Sequence, residues 1–227
     1  MAFALVGCAA LLALGGWQLE RRAWKQDLLQ AITAGLAGPA LALREAPAAD
    51  VAWRPAVADG AWLAAGLARI APRTIAGHNG EGKIGADYAA PFLLANGDAL
   101  VVVLGWAPEG APPPSLAQGQ VRVEGVLAPS PEPNMFTPDN APPDHWVWLE
   151  PKAIVSATGL ALPPERVSPL VLRLSAPPAG LTAISARPKF PNDHLQYALT
   201  WFALAFAWAV VATLRLRASR AASAGQP

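Results

Sequence analysis

The sequence predicts a membrane protein in which two transmembrane helices flank a mainly antiparallel β domain, of α+β, barrel-like type, outside the membrane. Two apolar stretches without a formal charge, residues 2–19 and 195–214, lie near the two ends of the chain. Only 15% of the 227 residues are charged and 53% are hydrophobic, whereas soluble domains carry about 25% charge. The region between the two stretches alternates short apolar runs with Gly, Pro and Asn, which favours strands over a helical bundle.

The first span is residues 1–19. Eighteen charge-free residues just cross a hydrocarbon core of about 30 Å. No basic residues precede them, which favours an uncleaved span over a signal peptide. The sequence LVGC at 5–8 also resembles a lipoprotein cleavage box, but the apolar run continues past Cys8 to Leu19. Helical spacing continues to about residue 36, where Gly and Pro end it. The following residues share one predicted helix face: Trp17, Glu20, Arg21, Trp24, Leu28 and Ala31.

Residues 37–190 form the predicted β-rich domain. Its turn signals are Asp59-Gly60 and Asn96-Gly97, and the second is the strongest short hairpin signal available. The apolar run 100–104 predicts a strand that is buried on both faces. The predicted strands are 53–57, 61–70, 87–95, 98–107, 120–128, 145–150 and 168–176, and 151–159 fits a short helix.

The second span is residues 191–214, and residues 215–227 form a short tail. Two crossings place both termini on one side of the membrane and the domain on the other. Arg215, Arg217 and Arg220 favour a cytoplasmic tail, but three basic residues after the first span, within 21–25, argue for the opposite orientation. From the charges alone, the orientation stays open.

The chain offers little that is typical of an enzyme. No serine lies in a nucleophile elbow, and the one cysteine, Cys8, lies in a span. GHNGEGKI at 77–84 approaches a phosphate-binding loop, but Ile84 replaces the required hydroxyl and a strand follows, so we interpret it as a flexible connection. A metal site would need all three histidines, His78, His145 and His194, to converge. The net charge of +1 predicts no binding to nucleic acid.

The segment 135–150, MFTPDNAPPDHWVWLE, combines a turn with a dense aromatic run. Trp146 and Trp148 would share one face of a strand. We favour aromatic packing at the barrel rim, and a surface for a partner or cofactor is the alternative.

His194 opens the second span, after Pro191, Asn192 and Asp193. A Pro-Asn start and an acidic residue suit the beginning of a helix. An ionisable residue at this depth is a functional hypothesis by default, because imidazole can ligate haem iron. The alternative is an interfacial histidine that contacts lipid or the β domain. One helical stripe contains His194, Tyr197, Ala198, Trp201, Ala205 and Trp208.

Four segments, in both spans and in the domain between them, resemble the surfeit locus protein family. They are GWQLERRAWK (16–25), LGWAPEG (104–110), FTPDNAPPDHWVWLEP (136–151) and RPKFPNDHLQYALTWFALA (187–205). The resemblance covers nearly the whole chain in the same order. The chain departs from the family at Val103-Leu104, where members usually carry Asn-Arg before Gly-Trp.

The resemblance implies an assembly factor for haem-copper cytochrome c oxidase that places haem a into subunit I. It implies a histidine associated with haem a, which maps onto His194 as axial iron ligand, and a domain on the periplasmic side. We expect Tyr197, Trp201, Trp17 and Trp24 to flank the haem, and subunit I, haem a synthase and membrane lipid to be partners. We expect a bacterial inner-membrane, multi-pass protein and no enzyme. The alternative is a scaffold that stabilises an oxidase intermediate without binding haem.

Overall fold

The computed structural model describes residues 2–63, 66–76, 82–185 and 192–224. The chain divides into two compact units. One consists of residues 1–31 and 189–227, and the other of residues 32–188.

The first unit contains two long helices. Helix α1 spans Ala2–Leu36, although its last turn belongs to the second unit, and helix α3 spans His194–Ala224. Both are long and apolar enough to cross a membrane, and most of their large apolar side chains are exposed, as in Phe3 and Phe206. The prediction of two long apolar helices at the two ends of the chain is confirmed, and α1 continues to Leu36. The predicted tail from residue 215 is helical up to Ala224.

The two helices pack antiparallel through small residues of α1. The indole of Trp208 lies over Gly7, and its Nε1 donates to the carbonyl oxygen of Ala4 at 2.9 Å. The ring of Phe202 lies so close to Gly15 that a Cβ added there would overlap it. Small residues are typical of contacts between membrane helices because they let the backbones approach closely.

The second unit is a sheet of seven strands with one short helix, α2. The strands are β1 Leu41–Leu43, β2 Pro55–Trp62, β3 Ala68–Ala76, β4 Gly82–Leu94, β5 Ala99–Pro108, β6 Gln120–Pro129 and β7 Val167–Leu174, and the helix α2 is Pro151–Ser156. Short 3₁₀ turns lie at Ala49–Val51 and Pro164–Arg166.

Five of the strands close into a ring. Their order is β2-β6-β7-β5-β4, and β4 pairs again with β2 through Gly60 and Leu94. Strand β3 extends the sheet beside β4, and β1 adds to β2. The β1–β2 and β5–β7 pairs are parallel and the other pairs are antiparallel. The prediction of a mainly antiparallel, barrel-like domain is therefore confirmed.

Apolar side chains fill both faces of the barrel wall. The interior contains Phe92, Leu100 and Leu127, and the outer face of β5 and β7 is covered by Trp146 and by α2. Strand β5 contributes to both clusters, which confirms the prediction that it is buried on both faces. Asn96-Gly97 forms the predicted β4–β5 hairpin turn, with Gly97 at φ +85°.

Four local predictions were wrong. The predicted strand 61–70 is instead divided between the end of β2 and the start of β3. Asp59-Gly60 is not a turn but lies inside β2, because Gly60 allows the close approach of the Leu93 carbonyl where the barrel closes. The strand predicted at 53–57 corresponds to β2, which starts at Pro55 and not at Trp53, because the φ of +66° at Trp53 is incompatible with an extended strand. Residues 145–150 form only isolated bridges, at His145 and Trp146.

Candidate functional site

His194 is the first residue of α3, as the sequence predicts. Asn192 and Asp193 precede the helix, and the carbonyl oxygen of Asp193 accepts the amide of Tyr197 at 3.2 Å. The carboxylate of Asp193 therefore lies at the positive end of the helix dipole, which stabilises this start. Pro191 lies outside the described residues.

The imidazole of His194 contacts α1. Its Nδ1 lies 2.8 Å from Oε1 of Gln18, 176 residues earlier in the chain. Since an amide oxygen can only accept, Nδ1 carries the proton and Nε2 keeps its lone pair. Nε2 has no partner among the described residues. This is the arrangement in which a metal-binding histidine is oriented by a second polar group.

An open depression of about 340 Å³ lies at this end of the helix pair. Its described lining consists of Gln18, Lys25, Asp193, His194 and Tyr197. The phenol of Tyr197 is 56% exposed, one turn along α3 from His194. The depression thus combines one nitrogen donor, one phenol and two opposite charges.

The other predicted site residues, Trp17, Trp24 and Trp201, are not among the described residues that line the depression. Trp201 is half-buried on α3, between Ala198 and Ala205, which are buried in the helix contact. Trp17 and Trp24 are 54% and 51% exposed on α1, and neither lines the depression. The guanidinium of Arg21 lies 4.1 Å from the ring centre of Trp24, as in a cation–π pair. The structure therefore brings together His194 and Tyr197 but not the two tryptophans of α1.

Sequence reasoning missed Gln18. The signal in the sequence is a run of positions at steps of four and three residues, which share one helix face and begin with small or apolar side chains. These positions are Ala4, Cys8, Leu11, Gly15, Gln18, Arg22 and Lys25, and in the structure each of them is at least partly buried. Gln18 is the first polar residue on that face after the apolar run, so it is the natural partner for a histidine on the facing helix.

The other two histidines, His78 and His145, are not among the described residues that line the depression. His145 is exposed in the second unit, and His78 lies outside the described residues together with the rest of the Gly-rich segment 77–81. Within the described part of the chain, no group of three His, Cys, Asp or Glu residues can hold a metal ion. The strand β4 begins at Gly82, so a strand follows this segment, as predicted.

The second unit has a cleft of about 650 Å³ on the outer face of the barrel. Nε of Arg73 donates to Oδ2 of Asp87 at 3.3 Å, and Arg173 lies in the same wall. Burial raises the pKa of Asp87, although the neighbouring guanidinium of Arg73 opposes this. Burial also lowers the pKa of Arg173, although Asp87 opposes this.

The segment 130–150 forms the other side of this cleft and is ordered by side chains instead of a strand ladder. Oδ1 of Asn140 accepts the amides of Val147 and Trp148 at 2.8 and 3.1 Å, and its Nδ2 donates to Glu150. Nε1 of Trp146 donates to the carbonyl of Pro143 at 2.8 Å. Trp146 is buried against the barrel, which agrees with the aromatic packing that the sequence favours.

The model of the SURF1 family matches residues 5–206. This chain belongs to the SURF1 family.

Its curated relatives cover most of the chain. A SURF1-like protein of Monosiga brevicollis is 29% identical over 215 residues, which are 84% of this chain and 77% of the relative. Surfeit locus protein 1 of Mus musculus is 26% identical, over 89% of this chain and 71% of its own. The Homo sapiens protein of the same name is 25% identical, over 86% and 70%.

In this SURF1-family chain, the departure at Val103-Leu104 falls on β5. Leu104 is buried in the barrel interior, and Val103 lines the cleft beside Arg173, its partner in the parallel β5–β7 register. A guanidinium therefore lies next to the position where the chain departs from the family motif, but it comes from β7.

Proposed function

We propose that this protein is an assembly factor for haem-copper cytochrome c oxidase that binds haem a through His194 and helps its insertion into subunit I. The observation that supports it most directly is the hydrogen bond between Gln18 and His194. It leaves Nε2 as a single, oriented nitrogen donor in a depression between two helices that have the properties of membrane spans. Membership of the SURF1 family supports the role in assembly.

The residues present fit such a cargo. One imidazole can hold the iron, and Tyr197 offers an exposed aromatic face nearby. A site on membrane helices suits an apolar cofactor that passes to another membrane protein without entering water. A single protein ligand also suits release better than two would. We propose subunit I and haem a synthase as partners, within a bacterial inner membrane and with the barrel on the periplasmic side.

The absorption spectrum of the purified full-length protein tests this function. The protein is expressed together with haem a synthesis enzymes, as wild type, as His194→Ala and as His145→Ala. His145 is exposed in the second unit and is the matched control. We expect a haem a spectrum in the wild type and in His145→Ala, and its loss in His194→Ala.

Equal spectra in all three proteins would place the ligand elsewhere and contradict the assignment of His194. No haem in any of them would favour the alternative, a scaffold that stabilises an oxidase intermediate. The exposed aromatic side chains of Trp17, Trp24 and Tyr197 support that alternative, since they are available for contact with a membrane partner.

A further inference from the structure

The cleft on the outer face of the barrel belongs to the second unit and takes no part in the function proposed above. It is bounded by the segment 130–150, whose motif the sequence singles out and haem binding does not use. Its volume of about 650 Å³ is in the range of small-molecule sites, about 300–1,000 Å³.

Most of the lining of the cleft is apolar. The barrel contributes Ile70 and Val103, and the segment 130–150 contributes Phe136, Trp148 and Leu149. Phe136 is 85% exposed at the rim, although it is a large apolar side chain. A ligand with an apolar body would cover this surface.

Among the described residues, four charged ones line the cleft, and a single ion pair joins two of them. Arg73 is bonded to Asp87, and Glu132 is exposed on the segment 130–138. Arg173 has no carboxylate within ion-pair distance among the described residues. Its Nη1 donates to the carbonyl of Ser185 at 3.0 Å, and its Nε is buried without an acceptor in the described part of the chain.

A partly buried guanidinium whose Nε is buried without an acceptor among the described residues is costly and is stabilised by an anion. Burial lowers the pKa of Arg173 from its ordinary value, although Asp87 opposes this, and the direction agrees with an incompletely solvated guanidinium. The anion should carry one charge and not two, because Asp87 and Glu132 line the same cleft and repel a dianion. A planar carboxylate also matches the geometry of a guanidinium.

We propose that this cleft binds a small organic ligand that has one carboxylate on an apolar body, with the carboxylate at Arg173 and the body along Val103, Trp148 and Phe136. The site is independent of haem binding, so its ligand and the test of it do not depend on His194.

The test uses the full-length protein in nanodiscs of zwitterionic lipid and ligand-observed saturation-transfer NMR. The probes are 3-phenylpropanoate and its neutral isostere 3-phenylpropanamide, with empty nanodiscs as the background. We expect the acid to bind about tenfold more tightly than the amide, because charge-assisted bonds are the stronger ones.

Variants locate the site. Arg173→Gln should remove the preference for the acid. Arg122→Gln, which changes an arginine 62% exposed on β6, should keep that preference.

Phe136→Ala should weaken the binding of acid and amide by the same factor, and the protein should still fold because this side chain is exposed. His194→Ala should leave all affinities unchanged.

Equal affinity for acid and amide would overturn the proposal, as would an acid preference that survives Arg173→Gln. Absence of binding by both probes at about 10 mM, weaker than any affinity of practical use, would also overturn it. If Arg173→Gln does not fold, the comparison of acid with amide in the wild type and in Phe136→Ala still decides whether the cleft binds a carboxylate on an apolar body.

Discussion

At the scale of the residue, the contact between Gln18 and His194 determines which ring nitrogen is available. The hydrogen bond from Nδ1 to the amide oxygen orients the imidazole and selects the neutral tautomer in which Nε2 holds the lone pair. The function of the histidine therefore depends on a side chain from the other helix.

Replacing Gln18 by Leu should weaken haem a retention by about 10–100-fold, the usual cost of losing a group that orients a metal ligand. Gln26→Leu, which changes an exposed glutamine of the same helix, is the control and should retain haem as the wild type does. The measurement is haem remaining per protein after dilution, with circular dichroism to verify helix content. Full retention in Gln18→Leu would show that the hydrogen bond does not orient the ligand.

Asp98 anchors the β4–β5 hairpin turn. Its carboxylate accepts from Nε of Arg166 at 2.8 Å, from Nδ2 of Asn96 at 2.7 Å and from the amide of Ala46 at 3.0 Å. Burial by itself would raise the pKa of Asp98, but these hydrogen bonds together outweigh it and lower the pKa.

The lowered pKa makes the barrel sensitive to acid. Unfolded Asp has a pKa of about 3.9, so the stabilisation from Asp98 is complete above that value and is lost as the pH falls through the folded-state pKa. Asp98→Asn should cost about 1 kcal/mol at pH 7 and should flatten the decline below pH ~4. Tryptophan-detected melting across pH measures both, with the exposed Asp59→Asn as control. If Asp98→Asn loses stability at low pH to the same extent as the wild type does, this assignment is contradicted.

At the scale of the element, Gly15 determines how closely α1 and α3 approach. Gly15→Ala places a Cβ against the ring of Phe202, and overpacking of this kind costs about 1–3 kcal/mol. Gly16→Ala meets no atom of the described residues within 4 Å and should stabilise α1 by about 0.5–1 kcal/mol, because Ala is the better helix former.

The two neighbouring substitutions should therefore have opposite signs in thermal melts of the helical signal. Phe202→Leu should recover part of the loss in Gly15→Ala by relieving the overlap. If both alanines change stability equally, close packing at Gly15 does not hold the pair together.

The elements that the sequence predicts well are those that depend on local pattern. A charge-free stretch of about 20 residues has few alternatives to a span, and Asn96-Gly97 supplies the positive φ that its turn needs. The alternation in residues 120–128 likewise corresponds to β6.

The wrong and missing predictions concern contacts that are distant in the sequence. Asp59-Gly60 resembles a turn signal, but a glycine is needed at position 60 because the carbonyl of Leu93 approaches it closely. The aromatic run from residue 145 resembles a strand, but Asn140 takes the hydrogen bonds of Val147 and Trp148. In the site, the sequence analysis named the exposed tryptophans of α1 and not Gln18, which lies on the face where small residues allow close contact with α3.

At the scale of the whole molecule, the chain consists of two compact units. The second unit has its own closed sheet and apolar core, which is what independent folding requires. The proposed haem site lies wholly in the first unit.

A truncated chain of residues 32–188 should therefore fold as a soluble β protein and bind no haem a. Circular dichroism and a cooperative melt test its folding, and the absorption spectrum tests haem. The full-length protein, expressed with the same haem supply, is the control. Haem bound by the truncated chain would contradict a site at His194, and a chain without cooperative melting would show that the helices are needed for the barrel.

The closure of the ring also sets an order of events during synthesis. Strand β7 lies between β5 and β6 and, among the strands of the described residues, is the last to leave the ribosome. Until it arrives, β5 and β6 each present an unpaired edge, the kind of surface that recruits strands from other chains. A premature stop codon between β6 and β7 should therefore produce an aggregating fragment and not a smaller barrel, so the nascent chain depends on protection until its final strand is complete.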